Sequence, residues 1–261
     1  MKTTAVLLVL LLLSACSRSL VNSDPGSLPN QDHLTVLSLN MKGYDPNASR
    51  EARMQPVVNL CKQEGMDLLL LQEGVSGLLK GSIDLLRDKL TFPASFEAPV
   101  FGVWPFNLNN VGIISRYPWL ETHSASCEIK MVQVIDNLPI PGKRRVVMGQ
   151  VHVPGIGQVN AYSVHLASGP TTQEERQKQV TCMLDFINSR PGAVMDILGG
   201  DFNFGPDNLA YQMILDTGFQ GFGQAPDFVF VRGHGGITEG KIVFTDHFVS
   251  DHCGILVKIV K

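Results

Sequence analysis

An α/β fold is predicted for residues 34–261, on three observations. Apolar runs of strand length alternate with amphipathic helical stripes along the chain. The runs at 144–153 and 158–166 are joined by "PGIG", a hairpin-like turn that makes them antiparallel neighbours. No internal repeat is present, so a regular βαβ succession is excluded and adjacent antiparallel strands are expected.

The elements follow in order. "LTVLSLN" (34–40) reads as a buried strand. Residues 49–65 read as a helix, with Met54, Val57, Val58 and Cys61 at helical spacing, Gly65 as the stop and Pro56 as a kink or shortening point. "DLLLLQE" (67–73) is a second buried strand, and 75–90 a helix despite two glycines. "VGIISR" (111–116) and the two hairpin runs are strands. The clearest helix starts near Thr172: Thr172 and Glu175 fit a capping box, and Val180, Met183, Leu184 and Ile187 form one apolar stripe. A strand at 193–199, a short helix around 207–215, and strands at 226–231 and 252–260 complete the chain.

With 261 residues, 44% of them hydrophobic, the chain can bury a substantial core. Lys and Arg number 21 against 24 Asp and Glu, a net charge of −3, so no basic tail or patch marks a non-specific polyanion binder. Lys2 and the apolar run Ala5–Leu13 have the form of a secretory leader, too short to span a bilayer. The run ends in "LSAC", which resembles the lipobox of bacterial lipoproteins. Residues 1–16 are therefore expected to be a lipoprotein signal peptide with Cys16 as the lipidation site, anchoring the protein to the cell envelope, the outer membrane preferred. Residues 17–33 read as a flexible tether, and 34–261 as the folded domain. An exported chain can form disulfides, but the spacing of Cys61, Cys127, Cys182 and Cys253 leaves their pairing open.

The functional signal lies at the strand ends. The first strand ends at Asn40, the second at Gln72-Glu73, the hairpin's return strand at His165, and the next in "LGGDFNFGPD", with Asp201 and Asn203 two residues apart. Asp227 opens one late strand and Asp251-His252 the last. Each has an ordinary reading as a cap, a turn or a core residue; their joint placement at strand ends does not.

Taken together, "LSLN", "LLLLQE", "GIISRYP", "SVHL" followed by "RQKQ", "GDFN" and "SDH" resemble, in this order, the motifs of the endonuclease/exonuclease/phosphatase superfamily. The resemblance covers about residues 34–261. It implies a four-layer α/β sandwich, two packed mixed, mostly antiparallel sheets flanked by helices. It also implies a Mg²⁺ cofactor, with Mn²⁺ as an alternative, held by Glu73, Asn40 and Asp251. Asp201 would activate water, Asn203 would hold that water or a phosphoryl oxygen, and His252, oriented by Asp227, would serve the phosphoryl oxygens, with His165 as a second imidazole. Glu97 is the expected carboxylate partner of His165, and Arg116 and Arg176 are expected beside the substrate. His247, His152 and His234 are read as loop or structural residues.

The expected partner is a phosphoester, nucleic acid or lipid headgroup, besides the membrane reached through the acylated N-terminus; the protein is expected to be monomeric. Nuclease-like phosphodiester hydrolysis is the leading expectation. Sphingomyelinase- or phospholipase C-like and phosphomonoesterase activities stand as alternatives, and a non-catalytic surface binding protein as the alternative of another class.

Overall fold

The long apolar runs fold as strands buried on both faces. The computed structural model describes residues 30–43, 49–76, 81–103, 106–127, 131–135, 138–142, 144–169 and 171–261. The expected signal peptide, Cys16 and most of the expected tether lie outside them. In chain order the elements are β1 (His33–Asn40), α1 (Arg50–Gln63), β2 (Leu68–Ser76), α2 (Ser82–Leu90), β3 (Ala94–Val103), β4 (Phe106–Ser115), β5 (Trp119–Ser126), β6 (Met131–Ile135) and β7 (Leu138–Gly142). They continue with β8 (Arg145–Val153), β9 (Gly157–His165), α3 (Gln173–Asn188), β10 (Met195–Asp201), α4 (Leu209–Leu215), β11 (Gln220–Gln224), β12 (Asp227–Gly233), β13 (Gly236–Val243) and β14 (Gly254–Val260).

The first sheet has the order β13-β14-β1-β2-β4-β3 and the second β11-β12-β10-β9-β8-β5, with β6 and β7 as a separate hairpin. Two pairs are parallel: β1 with β2 across α1, and β9 with β10 across α3; the other pairings described are antiparallel. Alternation along each strand explains the layers. In β1, Val36 packs between the sheets with Leu68, Ile113, Ala161, Ile197 and Ile255, while its neighbour Leu37 faces α1 and α2 with Met54, Val58 and Leu86. Leu198 of β10 faces the other way, onto Val180, Met183 and Ile187 of α3 and Ile214 of α4. The result is the expected four-layer sandwich, helices outside both sheets. Among the described residues no helix is long and apolar enough to cross a membrane.

Helix α3 has the capping box read from sequence: the Thr172 hydroxyl accepts from the Glu175 N–H, and the Glu175 carboxylate accepts from the Thr172 N–H at 2.8 Å, an arrangement worth about 1 kcal/mol. Helix α1 continues through Pro56 rather than ending there. The expected helix at 75–90 is corrected. Val75 and Ser76 extend β2, residues 77–80 lie outside those described, and the helix begins at Ser82. His234 lies in the short turn between β12 and β13, as its loop reading expects. Strands β3, β5, β6, β7, β11 and β13 were not expected; β6 and β7 form the separate hairpin, and the other four are the edges of the two six-stranded sheets. An edge strand has one partner and a polar, half-exposed face, so it lacks the apolar run that marks a central strand. Cys127 and Cys182 form a disulfide, with Cα atoms 5.6 Å apart, while Cys61 and Cys253 are free.

Candidate active site

Both parallel pairs point their C-terminal ends to the same end of the sandwich, where open sheets gather their sites. In the first sheet Asn40 stands beside Gln72. In the second, Asp201 stands beside His165 on one side and Asp227 on the other. Gly199 lets the sheets close on each other here: a Cβ at Gly199 would meet Leu70 Cδ1 of the facing sheet at 2.6 Å. Buried Gln72 spans the gap, its Nε2 donating to Ser163 Oγ of β9 at 2.9 Å.

Asp201, 2% exposed, is the meeting point. Asn40 Nδ2 donates to its Oδ2 at 3.1 Å, and the Asn203 N–H to its Oδ1 at 3.0 Å. His165 Nε2 lies 3.5 Å and His252 Nδ1 3.8 Å from Oδ2. His252 Nδ1 pairs with Asp227 Oδ2 at 2.8 Å, so a histidine from the first sheet is oriented by a carboxylate of the second. Two of these residues carry unusual backbone. Glu73 has φ 55° at an irregularity in the β2–β4 pairing, and Asn203 has φ 55° just beyond β10. A left-handed Glu costs on the order of 1–3 kcal/mol and is held only where the surroundings over-determine it. The Asn203 amide donates to Leu166 O at 3.0 Å, and Arg176 Nη1 donates to the Asn203 carbonyl at 2.6 Å.

Burial sets the protonation states. It pushes the Asp201 carboxyl up to about 7, helped by the charge of Asp227 and opposed by His252, Asn40 and the Asn203 N–H. The hydrogen bond to Asp227 raises His252 to about 9, making it an imidazolium at neutral pH. Burial raises the Asp227 carboxyl while His252 draws it back. His165, with Nδ1 buried and unpartnered, is driven well below its usual range by burial and by the nearby Arg144, so it is neutral. One carboxylate is thus flanked by one charged and one neutral imidazole.

Glu73 lies at the mouth, Oε1 3.9 Å from His165 Nε2. Burial and the charge of Asp251 raise it, and Asn40 opposes them. Asp201, Asp227 and His252 offer ligand atoms within 4.8 Å of one another. The partly exposed Glu73 carboxylate, beside the Asn40 amide and the Asp251 carboxylate, is the hard oxygen donor set that a divalent cation takes, and the residues present fit one.

Asp251 is at the rim, exposed, 3.7 Å from Lys42 Nζ. Two sequence expectations are corrected. Arg116 is at the opposite end of the first sheet, paired with Asp67 at 3.4 Å; Asp67 precedes β2, whereas Glu73 lies near its far end. Glu97 does not reach His165, because it accepts from Asn110 Nδ2 at 3.1 Å on the α2 side of the sheet. The aromatic side chains of 101–108 lie outside the described residues. Two arginines were not singled out from sequence. Arg144, 4% exposed, stands before β8 with Nη1 buried and unpartnered, and the charges of Asp201 and Glu73 oppose its desolvation. The signal was available: "KRR" precedes the antiparallel neighbour of the strand that ends in His165. Arg53 binds loop carbonyls beneath the site.

A sequence model of the Endonuclease/Exonuclease/phosphatase family matches residues 37–252. No curated protein matches the sequence. Among solved structures, an endonuclease/exonuclease/phosphatase from Beutenbergia cavernae DSM 12333 superposes with TM-score 0.70 at 18% identity, over 88% of this chain and 72% of that one. Danio rerio TDP2, complexed with a single-strand DNA product, gives TM-score 0.67 at 17% identity, over 88% of this chain and all of that one. A mannosyl-6-phosphatase from Bacteroides thetaiotaomicron VPI-5482 gives TM-score 0.67 at 14% identity, over 87% and 100%.

Proposed function

The chain belongs to the endonuclease/exonuclease/phosphatase family, and from that premise we propose that it is an envelope-anchored, divalent-metal-dependent phosphoesterase acting as a nuclease-like phosphodiesterase. The observation that carries this reading is the pair of imidazoles beside buried Asp201, His165 at 3.5 Å and His252 at 3.8 Å, burial lowering the pKa of the first and the bond to Asp227 raising that of the second. A phosphodiester is anionic, so its hydrolysis needs positive charge at the phosphoryl oxygens and a base for the attacking water.

His252 supplies the first. Held through Nδ1 by Asp227, it presents Nε2 as a charged donor to a non-bridging oxygen. Arg144 adds a buried cation that no carboxylate neutralises in a described ion pair, and an anionic substrate offsets that cost. Asp201 supplies the second. With its carboxyl raised to about 7, it is ionised in part at neutral pH and accepts the water proton as the new P–O bond forms and the leaving oxygen departs. Asn40 and the Asn203 N–H hold both its oxygens, which fixes the direction from which the proton is taken. Neutral His165 donates or accepts without adding charge. A Mg²⁺ or Mn²⁺ ion held by Glu73, with Asn40 and Asp251 alongside, would neutralise phosphoryl charge and polarise the leaving oxygen.

The leader, the lipobox-like "LSAC" and the polar tether support a position on the outside of a membrane, where extracellular nucleic acid is within reach. The test uses the full chain in non-ionic detergent with Mg²⁺ or Mn²⁺ and an EDTA control. Plasmid DNA, single-stranded RNA, sphingomyelin and bis-p-nitrophenyl phosphate are offered side by side. Metal-dependent nicking that disappears in Asp201→Ala is the expected result. Headgroup release without nicking would move the protein to lipid substrates, and no turnover of any of the four would leave a surface binding protein.

A further inference from the structure

The first-sheet half of the site is fastened from outside the sheet by one residue of α1. The guanidinium of Arg53, 6% exposed, donates from Nη1 to Met41 O at 2.8 Å and to Val249 O at 3.0 Å, and from Nη2 to Lys42 O at 3.0 Å. Met41 and Lys42 directly follow Asn40. Val249 precedes Asp251 by two residues and His252 by three. Gly43, the next residue of the first loop, packs so closely on the Glu73 carbonyl that a Cβ would overlap it. Arg53 therefore cross-links the segment after Asn40 to the segment before Asp251 and His252, and the Gly43 contact passes that link on to Glu73.

A buried cation that meets only carbonyl dipoles among the described residues is a costly filler. Arg53 lines one pocket with Met54, Val57 and Val249, where a methionine would pack without desolvating a charge. Methionine has no donor to hold carbonyls of two loops at once, and a lysine ammonium at the end of a flexible stem lacks the fixed planar geometry with which two nitrogens of a guanidinium grip three carbonyls. We propose that Arg53 is a positioning residue. It sets the spacing between the cation-binding side of the site, Asn40 and Glu73, and the Asp251–His252 turn, and thereby governs cation affinity and the alignment of His252. This inference rests on the metal-dependent phosphoesterase reading above.

The test reads Mn²⁺ binding directly, by electron paramagnetic resonance of the free ion, alongside melting by circular dichroism, on the full chain in detergent. Arg53→Met and Arg53→Lys are compared with wild type and with Glu73→Gln. The expected result is tight Mn²⁺ binding by wild type, lost in Glu73→Gln. In both Arg53 variants it should weaken by about 10–100-fold, the usual effect of removing a group that orients ligands. On bis-p-nitrophenyl phosphate, kcat should fall in both while KM holds. Arg53→Met that binds Mn²⁺ like wild type, with activity per folded molecule unchanged, would make Arg53 a packing residue and overturn the proposal, whatever its melting temperature. Should Arg53→Met fail to fold, Arg53→Lys decides by the same two readings. A wild type that binds no Mn²⁺, or a Glu73→Gln that binds as tightly, would overturn the metal-dependent reading itself, and the Arg53 proposal with it.

Discussion

In the second sheet, His165, Asp201 and Asp227 occupy one row across three neighbouring strands, β9, β10 and β12. In the first sheet only Asn40 stands in such a row, beside Gln72. Glu73 sits at an irregularity with a left-handed backbone, and Asp251 and His252 lie in a turn before β14. Strand register assembles one half; loops held by a guanidinium assemble the other. The base for water thus comes from the rigid half. The groups that meet the cation and the phosphoryl oxygens come from the half that loop geometry can tune.

The largest expected effect breaks the rigid half. Asp201→Ala removes the carboxylate that both sheets converge on, and turnover of bis-p-nitrophenyl phosphate should fall by about 10²–10⁴-fold. The melting temperature should hold or rise, because the deletion relieves a buried carboxyl. Asn40→Ala severs the link from the first sheet to Asp201 at 3.1 Å. Its expected loss is about 10–100-fold in turnover, with a weaker response to added metal. A titration of activity against Mn²⁺ checks this; an unchanged metal response would detach Asn40 from the cation. The smallest effect lies at the far end of the first sheet. Arg116→Ala breaks the 3.4 Å pair with Asp67, whose oxygens keep the Thr35 N–H and Tyr117 hydroxyl, and a guanidinium contact 5.9 Å over the Phe92 ring. It should cost at most about 1 kcal/mol of stability in urea unfolding and leave turnover within about twofold.

The same contrast separates what was legible in the sequence from what was not. Asn40, His165, Asp201 and Asp227 end or open strands with strong apolar signals, so their meeting follows from the strands being found and aligned. The central strands and α3 were legible for the same reason: burial on both faces writes continuous apolar runs, and a capping box with an i, i+3, i+4 stripe marks a helix. Edge strands β3, β5, β11 and β13 carry half-exposed alternation and left no such run. Arg116 was misplaced because a motif gives order along the chain and not which end of a strand a residue occupies; β4 runs antiparallel to β2 and delivers Arg116 beside Asp67. Glu97 was misassigned because its strand is an edge whose register was unknown. Arg53 was illegible for another reason. A buried arginine bonded to carbonyls looks in sequence like any solvated surface arginine.

The account turns on the join between the halves, the 2.8 Å bond from His252 of the first sheet to Asp227 of the second. The most direct measurement is the pH–rate profile of wild type against Asp227→Asn. In wild type, activity should rise as Asp201 ionises through about 7 and fall as His252 loses its proton through about 9. Asp227→Asn removes the charge that raises His252 and leaves at most a neutral amide acceptor in place of the charge-assisted bond, so the alkaline limb should drop toward 6.5, the usual value for histidine. The acid limb should move down as well, because the Asp227 charge also raises Asp201. An alkaline limb that stays near 9 in Asp227→Asn would contradict the account, for then the two sheets would meet without acting on each other.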